Sequence, residues 1–194
     1  MINSKADYKV WYIADCKATG IYHSRYSLLM RIKEKRYKFY KLLRKTEYYT
    51  NCRKDKIGVL YAKWLRLRYG LLCDKYMWQI PINVCGKGLQ LVHRGPIIIS
   101  GYATIGEYAR IHVGVNIGNA PSHGIDGAPQ IGNYCYMGPG VKMFGPIKLG
   151  DNIAIGANAV VNKSFPEGNC TLGGVPAKII SQKTSKEYIS ENAE

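Results

Sequence analysis

Every sixth residue is apolar in the stretch Ile131-Gly-Asn-Tyr-Cys-Tyr-Met137-Gly-Pro-Gly-Val-Lys-Met143-Phe-Gly-Pro-Ile-Lys-Leu149-Gly-Asp-Asn-Ile-Ala-Ile155. A period of six fits neither an amphipathic helix nor a hairpin meander. It is typical of a solenoid in which each hexapeptide forms a short strand and a turn, with the apolar side chain inward and glycine at tight corners. The phase extends in both directions, and the ten in-phase residues are Ile99, Ile105, Ile111, Ile117, Ile131, Met137, Met143, Leu149, Ile155 and Val161. Ten such positions argue against the alternative, a glycine-rich β-sandwich with accidental spacing.

The repeat is interrupted between Ile117 and Ile131, where the spacing is 14 residues instead of the 12 that two repeats would give. We therefore expect residues 119–130 to leave the regular wall as a protruding loop. Loops on rigid scaffolds often carry functional residues. A surface loop also tolerates extra residues that have no function.

The charge of the chain is concentrated before the repeat. Residues 1–78 hold 19 of the 28 Lys and Arg, 6 of the 13 Asp and Glu, and 11 of the 16 Tyr. This contrast predicts three parts: a basic, tyrosine-rich α-helical segment (1–78), a β-helix (79–180) and a polar tail (181–194) that is either a short helix or disordered. We expect helices over 24–50 and 57–72. In the second helix the residues predicted to pack inward are Val59, Leu60, Trp64, Leu65 and Leu67, and those predicted to face outward are Lys63, Arg66 and Arg68.

A net charge of +15 calls for an anionic partner. The basic segment is either a solvated helix face, a contact with an anionic membrane surface through residues 24–72, or a binding site for acidic polysaccharide. Nucleic acid is not expected, because no recognition motif is present. The sequence lacks a signal-like start and a long apolar run, which predicts a cytoplasmic protein, free or peripheral at the inner membrane. Its six scattered cysteines predict small neutral thiols, with neither disulfides nor a metal site.

Two strings flank the repeat: Ile80-Pro-Ile-Asn-Val-Cys-Gly-Lys-Gly-Leu-Gln-Leu-Val-His93 and Leu172-Gly-Gly-Val-Pro-Ala-Lys-Ile-Ile180. With the repeats between them, they resemble the hexapeptide-repeat acyltransferases, and within these the serine acetyltransferase branch. The resemblance implies a left-handed parallel β-helix, acetyl-CoA as the acetyl donor, and a homotrimer with sites between subunits. In that family the loop that corresponds to 119–130 closes over the acetyl-CoA groove.

Acetyl transfer to a hydroxyl needs a base that works near pH 7, and histidine is the usual choice. His93 falls on the family's general-base histidine, six residues before Ile99 in the inward or corner phase of the repeat. Its alternative role is that of a hydrogen-bonded corner residue. His123, in the loop, either touches acceptor or CoA or has no role, and Asp126 matches a family aspartate that could orient a histidine. His112 is expected to project outward, toward solvent or a neighbouring subunit.

Three polar residues of the serine enzymes are apolar here, at Trp78, Val92 and Ala128. A site without partners for a buried ammonium and carboxylate should reject serine, because unpaired charges are costly to desolvate. The pattern resembles O-acetyltransferases of capsule, lipopolysaccharide or exopolysaccharide synthesis, which implies a sugar hydroxyl of a polysaccharide or lipid-linked glycan as acceptor. The alternatives are a serine acetyltransferase of cysteine synthesis and a non-catalytic scaffold docked at the membrane.

The resemblance also indicates where CoA would bind. Small residues at turns would let the backbone approach the pantetheine arm, while a lysine in the closing motif either meets a CoA phosphate or simply caps the β-helix. The residues expected to bind the cofactor are Pro139, Ala157, Asn119, Ala120 and Lys178.

Overall fold

The computed structural model describes residues 1–20, 35–120 and 127–189 of the chain. Within these residues, three helices precede the repeats: α1 (Lys5–Ala18), α2 (Lys35–Cys52) and α3 (Lys56–Tyr76). Helix α1 begins at an N-cap serine, Ser4, and α3 begins at Asp55, whose carboxylate accepts from the Gly58 backbone N–H. The helix predicted over 24–50 is present as α2, and its part before residue 35 lies outside the described residues. Helix α1 was not predicted.

The prediction of which apolar residues of α3 pack inward is wrong for four of the five. Leu65 is buried, but Leu60 and Leu67 are 70% and 63% exposed, and Trp64 and Val59 are also exposed. The face that packs against the rest of the protein consists of Gly58, Ala62, Leu65, Tyr69, Cys73 and Tyr76. Helix α3 therefore carries two apolar stripes, and its hydrophobic pattern alone does not say which one faces the core.

Short strands follow α3 throughout the repeats, and in the described residues they are β1 (Trp78–Gln79), β2 (Gln90–Val92), β3 (Ile97–Ile99), β4 (Thr104–Ile105), β5 (Arg110–His112), β6 (Asn116–Gly118), β7 (Gln130–Ile131), β8 (Tyr136–Met137), β9 (Lys142–Phe144), β10 (Lys148–Leu149), β11 (Ala154–Ile155), β12 (Val160–Val161), β13 (Thr171–Gly173) and β14 (Lys178–Ser181). They form three sheets, in the orders β1-β3-β6-β9-β12, β10-β7-β4 and β14-β13-β11-β8-β5-β2. Every pairing is parallel except the last, in which β14 turns back antiparallel onto β13. The chain thus winds around a prism with three faces.

The register confirms the hexapeptide repeat. Ile99 pairs with Ile117, and Ile131 pairs with Leu149, so one coil takes 18 residues, or three hexapeptides. All ten predicted inward residues are buried, none of them more than 4% exposed. Their side chains form one continuous core along the axis of the prism.

The size of the interruption differs from the prediction. Ile105 pairs with Ile131, and Ile117 pairs with Met143, so this coil takes 26 residues instead of 18. The excess is eight residues, not two, because Ile117 and Ile131 lie on adjacent faces and are separated by one repeat rather than two. Residues 121–126 of the loop lie outside the described residues.

The helices share the core of the first coils. The Phe39 ring of α2 lies edge-on to Trp78, with their centroids 4.7 Å apart, and the Tyr69 hydroxyl donates to the Ile80 carbonyl. Arg44 is fully buried between Asp15 of α1 and Glu47 of α2, and it also donates to the carbonyls of Cys85 and Gly86. An ionic network inside the protein therefore joins two helices to the start of the β-helix.

The polar tail folds back on the sheet that contains β5 and β8. After β14 the chain forms a 3-10 turn, Ser185–Glu187, and the Tyr188 ring stacks on Tyr136 with a centroid distance of 4.7 Å. The tail (181–194) was predicted to be either a short helix or disordered, and its residues 190–194 lie outside the described residues.

Five of the six cysteines are buried, and Cys52 is half-buried. Burial raises the pKa of Cys85 and of Cys135 to about 12, so these side chains are neutral thiols, as predicted. No described helix is long and apolar enough to cross a membrane.

Candidate functional site

Three of the predicted site residues, His93, Pro139 and Ala157, lie on one edge of the prism. It is formed by the turns that lead from the six-stranded to the five-stranded sheet, and we call it the His93 edge; its turns are 93–96, 113–115, 138–141 and 156–159. Backbone hydrogen bonds stack these turns, from Gly140 N to the Val113 carbonyl (3.0 Å) and from Asn158 N to the Pro139 carbonyl (2.8 Å). Since adjacent strands lie about 4.8 Å apart, Pro139 is about 10 Å and Ala157 about 14 Å along this edge from His93.

His93 directly follows β2 and lies in an exposed turn. The sequence predicted His93 either inward or at a corner of the coil. In the structure it lies at the corner, because Leu91 takes the inward position of this coil. The backbone of His93 is left-handed, with a φ of 68°. An exposed imidazole beside the turns of the next coils can accept a proton from a bound molecule.

A second histidine lies next to His93. Val92 pairs with His112 on the outer side of the sheet, and the two imidazole centroids are 6.0 Å apart. The His112 ring also lies edge-on to Tyr136, at 5.1 Å. Both of its nitrogens are shielded from solvent and lack a hydrogen-bond partner among the described residues. His112 does project outward as predicted, but its polar atoms are covered.

The surroundings of His112 favour its neutral form. Burial lowers its pKa, and the positive charge of Arg110 and the proximity of His93 lower it further. The Arg110 side chain is held by the Tyr188 carbonyl, which places the tail beside this cluster. The sequence suggested no role for His112. Its contact with His93 depends on the pairing of β2 with β5, and its contact with Tyr136 depends on the pairing of β5 with β8.

The other predicted site residues lie elsewhere in the same chain. Asn119 and Ala120 follow β6 at a different edge of the prism, between the five-stranded and three-stranded sheets. A cleft of about 570 Å³ opens there, and its lining residues are Tyr102, Asn119, Gly127, Ala128, Gln130, Pro146 and Lys148. Lys178 is exposed on β14 at the end of the solenoid. His123 and Asp126 lie outside the described residues.

The three apolar departures have different positions in the fold. Trp78 is 3% exposed and packs edge-on against Phe39 and Tyr76, so it belongs to the core. Ala128 is buried at the base of the cleft, and Val92 is half-buried beside His112. None of these side chains can pair with a charge on a substrate. Within the described residues no group of His, Cys, Asp or Glu is arranged to hold a metal ion.

The sequence is similar to curated serine acetyltransferases over about half of its length. It is 33% identical over 95 residues to that of Synechococcus elongatus, a match that covers 49% of this chain and 38% of the relative. It is 35% identical over 102 residues to that of Mycobacterium tuberculosis, covering 53% of this chain and 44% of the relative. The chain thus spans less than half the length of these two relatives. No family model matches it.

The fold is that of solved serine acetyltransferases. The structure of the Brucella abortus enzyme in complex with coenzyme A superimposes with a TM-score of 0.68 and 26% identity, over 92% of this chain and 70% of that one. The structure of the Neisseria gonorrhoeae enzyme gives a TM-score of 0.69 at 24% identity, over 92% and 68%. The predicted fold, a left-handed parallel β-helix preceded by α-helices, is thereby confirmed.

Proposed function

We propose that this protein is an acetyl-CoA-dependent O-acetyltransferase in which His93 is the general base. The observation that carries the proposal is the His93 edge, where an exposed histidine lies in line with the stacked turns at Pro139 and Ala157. The similarity to serine acetyltransferases, one of them solved with coenzyme A, supports the reaction class and the donor.

In the proposed reaction His93 accepts the proton of an acceptor hydroxyl while its oxygen attacks the thioester carbonyl of acetyl-CoA. The tetrahedral oxyanion is stabilised by backbone N–H groups of the turns. It collapses by breaking the C–S bond, and the protonated His93 returns its proton to the departing CoA sulfur. The products are the acetyl ester and CoA, and no cysteine nucleophile is required.

The turns at Pro139 and Ala157 are proposed to bind the pantetheine arm, since both residues are exposed on the His93 edge. Lys178 is proposed to meet a CoA phosphate. Asn119 and Ala120 lie on another edge of the same chain. They could therefore contribute to the site at His93 only from a neighbouring copy, which fits a homotrimer with sites between subunits. Asp126 and His123, which lie outside the described residues, stay predicted site residues.

Two acceptors have support. The comparisons favour serine, because the similar proteins are serine acetyltransferases. The second candidate is the hydroxyl of a surface-polysaccharide sugar, which the apolar residues Trp78, Val92 and Ala128 favour, since they offer no partner to the ammonium and carboxylate of serine.

One experiment tests both the reaction and the acceptor. Labelled acetyl-CoA is incubated with the protein and either serine or a panel of capsular polymers, and acetyl ester formation is followed. His93→Ala should lower kcat/KM by about 10²–10⁴-fold, the usual contribution of a positioned base. The control Glu167→Ala, an exposed change at another edge, should leave it unchanged. Turnover that survives His93→Ala would remove His93 from its role, and absence of CoA binding would favour a non-catalytic scaffold.

A further inference from the structure

Helix α3 exposes a row of large apolar side chains. The exposed fractions are 80% for Ile57, 70% for Leu60, 45% for Trp64, 63% for Leu67 and 62% for Leu71. Their spacing alternates between three and four residues, which places all five on one face of the helix. From Ile57 to Leu71 the row covers 15 residues, and its ends are about 21 Å apart along the helix axis at 1.5 Å per residue. We call it the outer stripe.

The outer stripe lies opposite the packed face of α3. At 100° per residue, its centre is about 160° from the centre of the face that holds Leu65, Tyr69 and Cys73. Packing of the helices on the β-helix therefore leaves the stripe in solvent. Exposed contiguous apolar surface of this kind marks an interaction site more often than scattered single residues do.

Basic residues border the stripe on both sides. Lys56 and Lys63 lie along one border, and Arg68 and Lys75 lie along the other. The Arg68 guanidinium is 4.7 Å from the centroid of the Trp64 ring, so cation and apolar surface are adjacent. The only acidic residue within α3 is Asp74, in its last turn.

We infer that the outer stripe docks on the surface of an anionic lipid bilayer. An apolar face bordered by Lys and Arg lets a helix lie in the interface, with its side chains among the acyl chains and its cations at the phosphates. Charge argues against symmetric pairing of two α3 helices along this stripe, because it would bring their basic borders together, whereas the same borders complement an anionic surface. The inference does not depend on acetyl transfer.

Vesicle binding by the full chain tests the inference. The protein is sedimented with vesicles of phosphatidylglycerol and phosphatidylcholine, and separately with vesicles of phosphatidylcholine alone. It should bind the first and not the second, and higher salt should weaken binding because it screens the basic borders. Trp64 fluorescence should shift to shorter wavelength with the anionic vesicles, and Trp64→Phe should abolish that shift.

Paired variants identify the surface. Leu60→Gln/Leu67→Gln keeps good helix formers in α3 and should lower partitioning onto anionic vesicles by about tenfold or more. The matched control Val10→Gln changes a side chain of α1 that is 55% exposed and should bind as the wild type does. Acetyl transfer to a soluble acceptor should be the same in all three proteins, so loss of binding is distinguishable from loss of the proposed activity.

Three results would overturn the inference: no binding of the wild type to anionic vesicles, equal binding to neutral vesicles, or undiminished binding of the double variant. A second copy as the occupant would appear in sedimentation velocity, where the double variant would lose mass relative to the wild type while neither bound vesicles.

Discussion

Replacing Arg44 with methionine should remove much of the stability of this protein. Arg44 is 0% exposed; its Nε lies 2.7 Å from Asp15 Oδ2, and its Nη1 lies 3.0 Å from Glu47 Oε2. Burial lowers the pKa of Arg44, but attraction to the two carboxylates outweighs burial and raises it overall, so the guanidinium stays charged. Burial raises the pKa of Asp15, and Arg44 limits the rise.

The expected loss follows from what the substitution leaves behind. Removing one partner of a buried ion pair costs about 3–5 kcal/mol, because the remaining charge is unpaired. The carbonyls of Cys85 and Gly86 also lose a donor, at about 1–3 kcal/mol for each buried acceptor left unpaired. These effects are not additive, and we expect a loss of at least about 4 kcal/mol, against total stabilities of about 5–15 kcal/mol. Urea denaturation followed by circular dichroism at 222 nm, which reports on the helices, measures it.

Neutralising the partners is the control. Asp15→Asn/Arg44→Met/Glu47→Gln keeps acceptors for the backbone N–H groups of Leu89 and Asn83 and removes the unpaired charges, so it should be more stable than Arg44→Met alone. The deficit of Arg44→Met should also shrink from pH 7.5 to pH 5, since burial raises the pKa of Asp15 and its protonation then neutralises it in the folded state. A deficit below about 1 kcal/mol, or a triple variant less stable than the single one, would refute the reasoning.

Three further predictions concern the site and the core. The pKa of His112 is lowered in the folded state, so the unfolded state binds the proton at a higher pH, and stability should fall as the pH drops through about 6.5. His112→Phe should make urea midpoints measured from pH 7.5 to pH 5 depend less on pH. An unchanged slope would contradict this prediction. Gly140 has a φ of 75°, and a Cβ there would lie 2.1 Å from the Asn158 amide oxygen, so Gly140→Ala should lower stability by about 1–2 kcal/mol and raise the KM for acetyl-CoA. Gly101→Ala, whose Cβ would meet nothing closer than 3.8 Å, is its near-neutral control, and equal effects would argue against the backbone argument. Ile111→Ala, at a fully buried position, should cost about 2–5 kcal/mol in the same denaturation assay, and a loss below about 1 kcal/mol would contradict its place in the axial core.

The sequence predicted the β-helix and its core well, because the hexapeptide pattern fits one local structure. Each hexapeptide has one inward position, so Ile99, Met137 and their in-phase counterparts could be identified without knowing which strands pair. The orientation of α3 could not, because Leu65 and Leu67 belong to two apolar stripes and only the neighbouring elements select between them.

The sequence likewise predicted some residues of the candidate site but not the contacts between them. The sequence predicted His93 from its place in a motif, and Pro139 and Ala157 from their match to the resembling family and their small neighbours; their roles stay predictions. The contact between His93 and His112 was not found, because it joins residues 19 positions apart through the pairing of Val92 with His112. The sequence by itself therefore determined the coil and its core, since these follow from a local period. Only the tertiary structure decided which side chains meet on the outer face and which apolar stripe remains in solvent, because both depend on the pairing and packing of distant segments.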